Sequence, residues 1–286
     1  MKKIAFLLVL VSAMIGSSCG SFLENDIEAI SKKNAQEITD YISKNNLKMT
    51  GTGTGLFYSV DKSSTGANVK VGDEVSFHYT LSLLNGTKFD STSKLKNEPA
   101  KLTYGASNII AGLAEAISLL KEGESGTFLL PSVIAFGTQS STVVPANSNI
   151  RIDLEIIKLR SEDQIIDDYV VAIKLPLTEK TSTGLRFLRT LEVPAGKQLV
   201  AGLTASVKYT GFFASTGKQF DTGQLNVLLG SNSVVKGFEE GILKMKVGEK
   251  ATLVFPSSLG YGPQGSGAAI PPYSPLIFNI EIVSAN

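Results

Sequence analysis

Histidine and cysteine are almost absent from this sequence. Its 286 residues include one His, His78, one Cys, Cys19, and no Trp. A structural zinc site, a thiol redox pair and a disulfide framework each need more of these side chains. A serine or cysteine hydrolase would have to use His78 as its general base. His78 adjoins Tyr79 on a predicted strand, where neighbouring side chains point to opposite faces. We therefore expect His78 on a solvated strand face, outside any site.

The sequence also lacks an excess of charge of either sign. It has 27 Lys and Arg against 26 Asp and Glu, a formal net charge of +1, and no run of basic residues. Binding to nucleic acid depends on basic clusters that neutralise phosphates, so no nucleic-acid partner is expected. The hydrophobic content of 43% is that of a globular protein. A chain of this length is more typical of two domains than of one.

The N-terminus has the pattern of an export signal. Two lysines precede an apolar stretch, 4–15, interrupted only by Ser12, and this stretch is too short to span a bilayer. Cys19 follows directly and resembles the lipidated cysteine of bacterial lipoproteins, although Gly16 departs from the usual residue three places before it. The alternative is an ordinary cleaved signal. Residues 1–18 are thus predicted to be a signal peptide, and the protein to be an exported lipoprotein of the cell envelope, attached to the membrane through a lipid anchor.

An internal repeat organises the rest of the chain. Residues 115–131 align without gaps on residues 240–256, and similar pairs of motifs occur upstream and downstream at a spacing of about 125–130 residues. A repeat of this length is a whole domain. We predict a helical or flexible tether at 19–47, a first domain at 48–160, a helical linker at 161–182 and a second domain at 183–286.

Each copy is predicted to be an α+β unit. Short runs rich in β-branched and aromatic residues, bounded by Gly, Pro, Asn and Ser, indicate about five antiparallel strands. Phe238, Ile242 and Met245 lie at helical spacing and indicate one short helix. Segments 23–46 and 161–173 show the same spacing and are predicted to be leader helices. For residues 23–35 a disordered tether is the alternative, and a further interpretation makes residues 23–46 a dimerisation helix.

Seven motifs of the second copy together resemble the FK506-binding-protein family of peptidyl-prolyl isomerases. They are Val207-Lys-Tyr-Thr-Gly, Lys218-Gln-Phe-Asp, Leu228-Leu-Gly, Val234-Val-Lys-Gly-Phe-Glu-Glu-Gly, Met245-Lys-Val-Gly-Glu, Tyr261-Gly and Ile270-Pro-Pro. The resemblance is dense over residues 183–284 and thinner over 54–159. It implies a half-open antiparallel sheet wrapped around one short helix in each copy. It further implies no cofactor and no metal, and it implies unfolded or proline-containing polypeptides, with FK506-type macrolides, as ligands.

The resemblance also implies a catalytic pocket in the second copy. Its residues are Tyr209, Phe220, Asp221, Val234, Val235, Phe238, Tyr261, Ile270 and Phe278. Three phenylalanines would form an apolar cup, the Tyr261 hydroxyl would donate to the substrate carbonyl, and Asp221 would orient Tyr209. Phe238 stands where many members of the family have Trp. Ala269 is smaller than usual and the segment after Asp221 is shortened, so we expect one low pocket wall.

The first copy has a related but weaker set of pocket residues. They are Tyr79, Phe89, Asp90, Ile109, Ile110, Leu113, Phe136, Val144 and Ile152. Leu113 and Ile152 replace aromatic residues, and Phe136 lacks the hydroxyl of the corresponding tyrosine. We predict that this domain is weakened or inactive as a catalyst, and that it binds extended chain or spaces the second domain from the membrane. A tethered, non-enzymatic holdase is the competing interpretation of the whole chain.

Overall fold

The computed structural model describes residues 20–106 and 108–286. The predicted signal peptide and Cys19 lie outside the described residues. The chain forms two compact units, one ending at Leu159 and the other running from Arg160 to Asn286. Within the described part of the chain, no helix combines the length and the apolar character needed to cross a membrane.

In its described residues, the first unit contains two α-helices and seven strands. They are α1 (Gly20–Lys44), β1 (Thr50–Gly51), β2 (Phe57–Lys62), β3 (Glu74–Leu83), β4 (Lys88–Ser91), β5 (Ala100–Thr103), α2 (Ala111–Ser118), β6 (Ser125–Leu130) and β7 (Ile150–Arg160). A 3₁₀ turn, Ser132–Ile134, follows β6. The strands form one sheet in the order β1-β2-β6-β7-β3-β4, and β5 also pairs with β3.

The second unit repeats this arrangement. Its elements are α3 (Glu162–Ile173), β8 (Glu179–Lys180), β9 (Arg186–Leu191), β10 (Thr204–Phe213), β11 (Gln219–Leu228), α4 (Lys236–Leu243), β12 (Lys250–Phe255) and β13 (Leu276–Ala285), with 3₁₀ turns at Ser257–Leu259 and Gly262–Gln264. The sheet order is β11-β10-β13-β12-β9-β8, and every pairing is antiparallel. Each unit is therefore an α+β domain, as predicted.

The core of the second unit lies between its sheet and α4. Alternate residues of the central strands, among them Leu253 and Ile280, point inward and bury themselves against Phe238 and Ile242 of the helix. The helix lies very close to the sheet: a Cβ atom at Gly241 would stand 2.3 Å from Leu253 Cδ1. Because only glycine permits this approach, the Glu-Glu-Gly motif sets how deeply α4 sits in the curved sheet.

Helix α3 covers the opposite face of the same sheet. Ile165 and Ile166 pack against outward-facing residues of β9, β12 and β13, including Leu188 and Val254. The helix begins at an N-cap serine, Ser161, whose capping box with the third helical residue satisfies the first backbone N–H groups. Since β8 also pairs with β9, residues 161–182 are part of the second unit. The segment predicted as a helical linker thus contains helix α3, which lies in the unit that runs from Arg160 to Asn286.

The C-terminal part of α1 packs on the first unit in a similar way. Ile38 is fully buried, and Asn34 is 2% exposed. The Asn34 amide donates to Asn147 O (3.1 Å), and its oxygen accepts from Ser132 N (2.8 Å). The structure has a helix at Gly20–Lys44, and these contacts hold its C-terminal part against the first unit.

The one histidine is buried, and our expectation of a solvated side chain was wrong. His78 does lie on the face of β3 opposite Tyr79, yet it is 4% exposed. The chain after β4 folds back over this face: Thr92 Oγ1 is 2.9 Å from His78 Nδ1, and Lys94 Nζ is 2.6 Å from Glu155 Oε2 on β7. Strand alternation predicts which face a side chain takes, but not what covers that face.

Candidate active site

A cup-shaped cavity of about 350 Å³ opens on the inner side of the second sheet. Strands β10, β11 and β13 supply its wall and back, the start of α4 supplies its floor, and the loop after β12 supplies its rim. The lining residues are Tyr209, Phe220, Asp221, Leu225, Ser233, Val234, Val235, Phe238, Tyr261 and Phe278. The cavity is thus built mainly from aromatic and aliphatic side chains, as a site for an apolar ring would be.

Phe278 is the centre of the aromatic arrangement. Its ring meets Phe220 edge-on at a centroid distance of 5.6 Å and Phe238 at 5.1 Å, and it lies 6.1 Å from Tyr209. Phe255 stacks on its other side at 5.7 Å. Edge-to-face contacts at these distances are the favoured geometry for aromatic pairs. The rings therefore hold one another in place, so the cup keeps its shape without a ligand.

A glycine on β10 makes room for two of these rings. A Cβ atom at Gly211 would lie 2.6 Å from Phe220 Cζ and 3.0 Å from Phe278 Cε1. The first copy has Leu81 at the position of Gly211, and the Leu81 side chain is buried. The contrast between Tyr-Thr-Gly and Tyr-Thr-Leu is visible in the sequence, and it is the signal from which this difference between the two copies could have been predicted.

The polar part of the wall is a tyrosine–carboxylate pair. Tyr209 Oη donates to Asp221 Oδ2 at 2.8 Å, and the Thr222 backbone N–H donates to Asp221 Oδ1 at 2.8 Å. The pKa of Tyr209 is raised above its ordinary value. The larger cause is the hydrogen bond to Asp221, and the smaller cause is burial. Both oxygens of Asp221 thus have a partner, and the Tyr209 hydroxyl is held in the wall of the cavity.

Tyr261 stands at the rim of the cup and is 38% exposed. Its place follows from the 3₁₀ turn Ser257–Leu259, which ends two residues before it. In contrast, the floor and back residues Phe238 and Phe278 are 3% and 5% exposed. A ligand in the cup would therefore meet apolar rings below and a hydroxyl at the opening.

The structure brings eight of the nine predicted pocket residues of the second copy together around the cavity. The exception is Ile270, which is not among the lining residues: it is 5% exposed and belongs to the same buried cluster as Phe238 and Phe278. Leu225 and Ser233 line the cavity but were not among the predicted residues. The place of Leu225 follows from the shortened segment: β11 runs unbroken from Gln219 to Leu228, so its inward positions reach the cup.

The nine predicted residues of the first copy also lie together. Eight of them pack in or against the hydrophobic core cluster of that unit, namely Tyr79, Phe89, Ile109, Ile110, Leu113, Phe136, Val144 and Ile152. The ninth, Asp90, accepts from Tyr79 Oη at 2.8 Å. The pKa of Tyr79 is raised well above its ordinary value, mainly by burial and to a lesser extent by this hydrogen bond. Leu113 and Ile152 are buried where the second copy has phenylalanines, so the aromatic cup is reduced to one edge-on pair, Phe89 and Phe136, at 5.9 Å.

The site of the second unit is an apolar, pre-formed pocket, and this limits the chemistry that it can perform. Across residues 20–106 and 108–286, no group of three or more His, Cys, Asp or Glu side chains is placed to hold a metal ion. The carboxylate in the cavity lining, that of Asp221, is already bonded to Tyr209. Such a site acts on a bound ring through shape, exclusion of water and hydrogen bonds from hydroxyl groups.

Known proteins similar to this chain have the same kind of domain. Peptidyl-prolyl cis-trans isomerase FKBP9 of Rattus norvegicus is 28% identical over 223 residues, which are 75% of this chain and 35% of FKBP9. FKBP-type isomerase FkpA of Aeromonas hydrophila is 36% identical over 129 residues, 44% of this chain and 47% of FkpA. The chain thus spans between a third and a half of the length of these relatives. The crystal structure of the three FKBP domains of wheat FKBP73 aligns with a TM-score of 0.41 at 23% identity, covering 82% of this chain and 96% of that one.

The family profile matches both units separately. The matching family is that of FKBP-type peptidyl-prolyl cis-trans isomerases, and the matched segments are residues 66–157 and 196–283. Together these segments make up more than half of the chain, one in each unit. The chain therefore belongs to the FKBP-type peptidyl-prolyl cis-trans isomerase family, with two copies of its domain.

Proposed function

We propose that the second unit catalyses cis–trans isomerisation of X–Pro bonds, with the proline ring held in the cup. The observation that carries this proposal is the set of rings from Phe220, Phe238 and Phe278, which meet edge-on around an open cavity with the Tyr261 hydroxyl at its rim. The substrates are proline-containing segments of unfolded or partly folded polypeptides. FK506-type macrolides are proposed to occupy the same cup.

The reaction needs no acid–base pair. Amide resonance holds an X–Pro bond planar with a barrier of about 18–20 kcal/mol, and the uncatalysed exchange takes tens to hundreds of seconds. An apolar cup that removes water from the imide disfavours the charge-separated planar form, so it lowers the barrier to rotation. Shortening the exchange from minutes to less than a second requires roughly 3–4 kcal/mol. Exclusion of water and a few oriented hydrogen bonds are sufficient for this.

Individual side chains take distinct parts in this mechanism. The three phenylalanines hold the proline ring and keep water from the imide. Tyr261 donates a hydrogen bond to a substrate carbonyl at the rim, which favours one orientation of the chain across the cup. Asp221 keeps the hydroxyl of Tyr209 directed along the wall through their 2.8 Å hydrogen bond.

Removal of the rim hydroxyl tests the proposed activity. In the full chain, Tyr261→Phe is expected to lower kcat/KM about tenfold, because one hydrogen bond to the reacting segment is lost while the ring stays. The measurement is a cis–trans exchange assay with a series of proline peptides. Tyr58→Phe is the control, since Tyr58 lies on β2 in the other unit and stacks on Phe128. Equal activity of the wild type and Tyr261→Phe would contradict the role given to Tyr261.

The first unit is proposed to bind extended polypeptide with little or no catalysis. It keeps the tyrosine–carboxylate pair but has Phe136 in place of a rim hydroxyl, and Leu113 and Ile152 in place of two rings of the cup. A holdase function of the whole chain is the second candidate, and the half-buried apolar side chains of this unit, among them Phe89 and Phe136, favour it. The two candidates are compatible, because a bound client can be passed to the second cup.

We also propose that the protein is exported and works on exported proteins while attached to a membrane through Cys19. The basis is the pattern of residues 1–19. Cys19→Ser is expected to move the protein from the membrane fraction to the soluble fraction, because a single acyl-modified cysteine is the proposed attachment. Fractionation with mass determination of the N-terminal peptide measures this. A wild-type protein found in the soluble fraction, with no acyl group on Cys19, would instead favour the ordinary cleaved signal.

A further inference from the structure

Helix α3 is hydrogen-bonded to the loop that leads to Tyr261. Its first residue, Glu162, accepts two hydrogen bonds from Ser257: one from the backbone N at 2.6 Å and one from Oγ at 2.7 Å. Ser257 is 4% exposed, so its N–H has no access to bulk water. Burial raises the pKa of the Glu162 carboxyl, against the effect of these two bonds. Glu162 is half-buried, and a carboxylate that meets one serine with both oxygens is a specific attachment.

Ser257 opens the short turn that ends at the rim of the cup. Its carbonyl accepts from Gly260 N at 2.8 Å, and the carbonyl before it, that of Pro256, accepts from Leu259 N at 3.0 Å. Leu259 is 8% exposed and anchors the turn in the core. Tyr261 comes two residues after the end of this turn. The position of its hydroxyl therefore depends on where Ser257 is held.

Helix α3 is itself firmly fixed to the sheet. Arg186 on β9 is fully buried, and its guanidinium donates to Asp163 Oδ1 at 2.8 Å and to Asp167 Oδ1 at 2.6 Å, both on α3. Helix α3 lies outside the segment that matches the family, which begins at residue 196. Glu162 is therefore outside the residues that the family match covers.

The first unit has the same arrangement with a different side chain. Asn34 on α1 accepts from the backbone N of Ser132 at 2.8 Å. Ser132 follows Pro131 and opens the 3₁₀ turn before Phe136, just as Ser257 follows Pro256 before Tyr261. An amide in one copy and a carboxylate in the other thus supply the same acceptor. The leader helix belongs to the repeated unit, and its contact with the rim loop is common to both copies.

We propose that Glu162 is a positioning residue for the isomerase site: it holds the Ser257–Tyr261 loop so that the Tyr261 hydroxyl faces the cup. The consequence for catalysis rests on the function proposed above. Glu162 contacts Ser257, and its effect on the substrate passes through Tyr261. Helix α3 thereby becomes part of the active site of the second unit.

A double-mutant cycle in the full chain separates positioning from a general loss of stability. Glu162→Ala is expected to lower kcat/KM by about three- to tenfold, no more than Tyr261→Phe does, and to have no further effect in the Tyr261→Phe background. Glu162→Gln keeps an acceptor for the Ser257 N–H and should retain most activity. Asp168→Asn is the matched control, because it removes an acidic charge from the same helix at a side chain that is 60% exposed. A full further loss in the Tyr261→Phe background would overturn the proposal.

Hydrogen exchange tests the attachment independently of activity. Glu162→Ala should reduce the protection of the Leu259 and Gly260 amides, whereas Glu162→Gln and Asp168→Asn should leave it near the wild-type level. Ser257→Ala removes only the hydroxyl contact and is expected to fall between them, which keeps the test informative if Glu162→Ala does not fold. Unchanged protection in Glu162→Ala would overturn the proposal even if the chain proves to be an isomerase. Lost protection in a chain without isomerase activity would contradict the proposed function and leave the attachment supported.

Discussion

Phe220→Ala is expected to lower kcat/KM of the full chain for proline peptides about a hundredfold. The ring of Phe220 closes one side of the cup, with centroid distances of 5.6 Å to Phe278 and 5.0 Å to Phe213. Removal of the ring admits water to the imide and takes away a surface against which the proline ring packs. A hundredfold loss corresponds to about 2.7 kcal/mol of transition-state stabilisation, most of what the proposed mechanism supplies.

The matched change in the first unit distinguishes the two cups. Phe89 is the counterpart of Phe220, and Phe89→Ala is expected to change kcat/KM by less than about twofold, because the first cup lacks the rim hydroxyl and two of its rings. Both variants should keep native far-UV and near-UV spectra, since each ring is only half-buried. Wild-type activity in Phe220→Ala would contradict catalysis by the second cup. Suppression of client aggregation by Phe220→Ala, with catalysis lost, would show that holding and isomerisation are separate activities.

Arg186→Ala is expected to lower the free energy of unfolding of the second unit by about 3 kcal/mol. The change removes charge-assisted hydrogen bonds to Asp163, Asp167 and the Gly184 carbonyl, and it leaves a space where the guanidinium was fully buried. The two aspartates are more than half exposed, so they can be rehydrated, and the loss is smaller than for an uncompensated buried charge. Denaturant titration of the full chain, followed by hydrogen exchange in α3 and β9, measures it.

Two observations check the cause of this loss. Arg186→Lys keeps the charge but cannot reach both aspartates with one planar group, so it should recover only part of the stability. The hydrogen bond from Arg186 holds the pKa of Asp163 below its ordinary value. The stability from this pair is therefore present above the unfolded pKa of about 3.9 and is lost as the pH falls through the lower folded value. Arg186→Ala should remove that part of the acid dependence, and an unchanged acid dependence would contradict the assignment.

The pocket of the second unit was predictable from sequence to the extent that its residues lie in local motifs. Tyr209 with Asp221, and Phe238 with the two valines before it, are set by strand pairing and by the first turn of one helix. Local geometry therefore brings them together. Ile270 could not be judged in this way, since a loop of Gly and Pro residues decides whether its side chain reaches the cup or the core. The sequence did not indicate Leu225 as a lining residue. Its position depends on β11 running unbroken, and this follows from pairing with β10 along the whole length of the strand.

The sequence by itself determined the two-copy organisation, the α+β class of each copy, the leader helices and most of the aromatic set. These depend on periodicity, turn residues and short motifs, which act over a few residues. Only the tertiary structure decided that His78 is covered, that Arg186 fastens α3 to its sheet, and that Glu162 meets Ser257. Glu162 and Ser257 are 95 positions apart in the chain. Contacts of this kind arise when separate elements pack on one sheet, and their partners are chosen by the shape of the folded unit, which no local pattern contains.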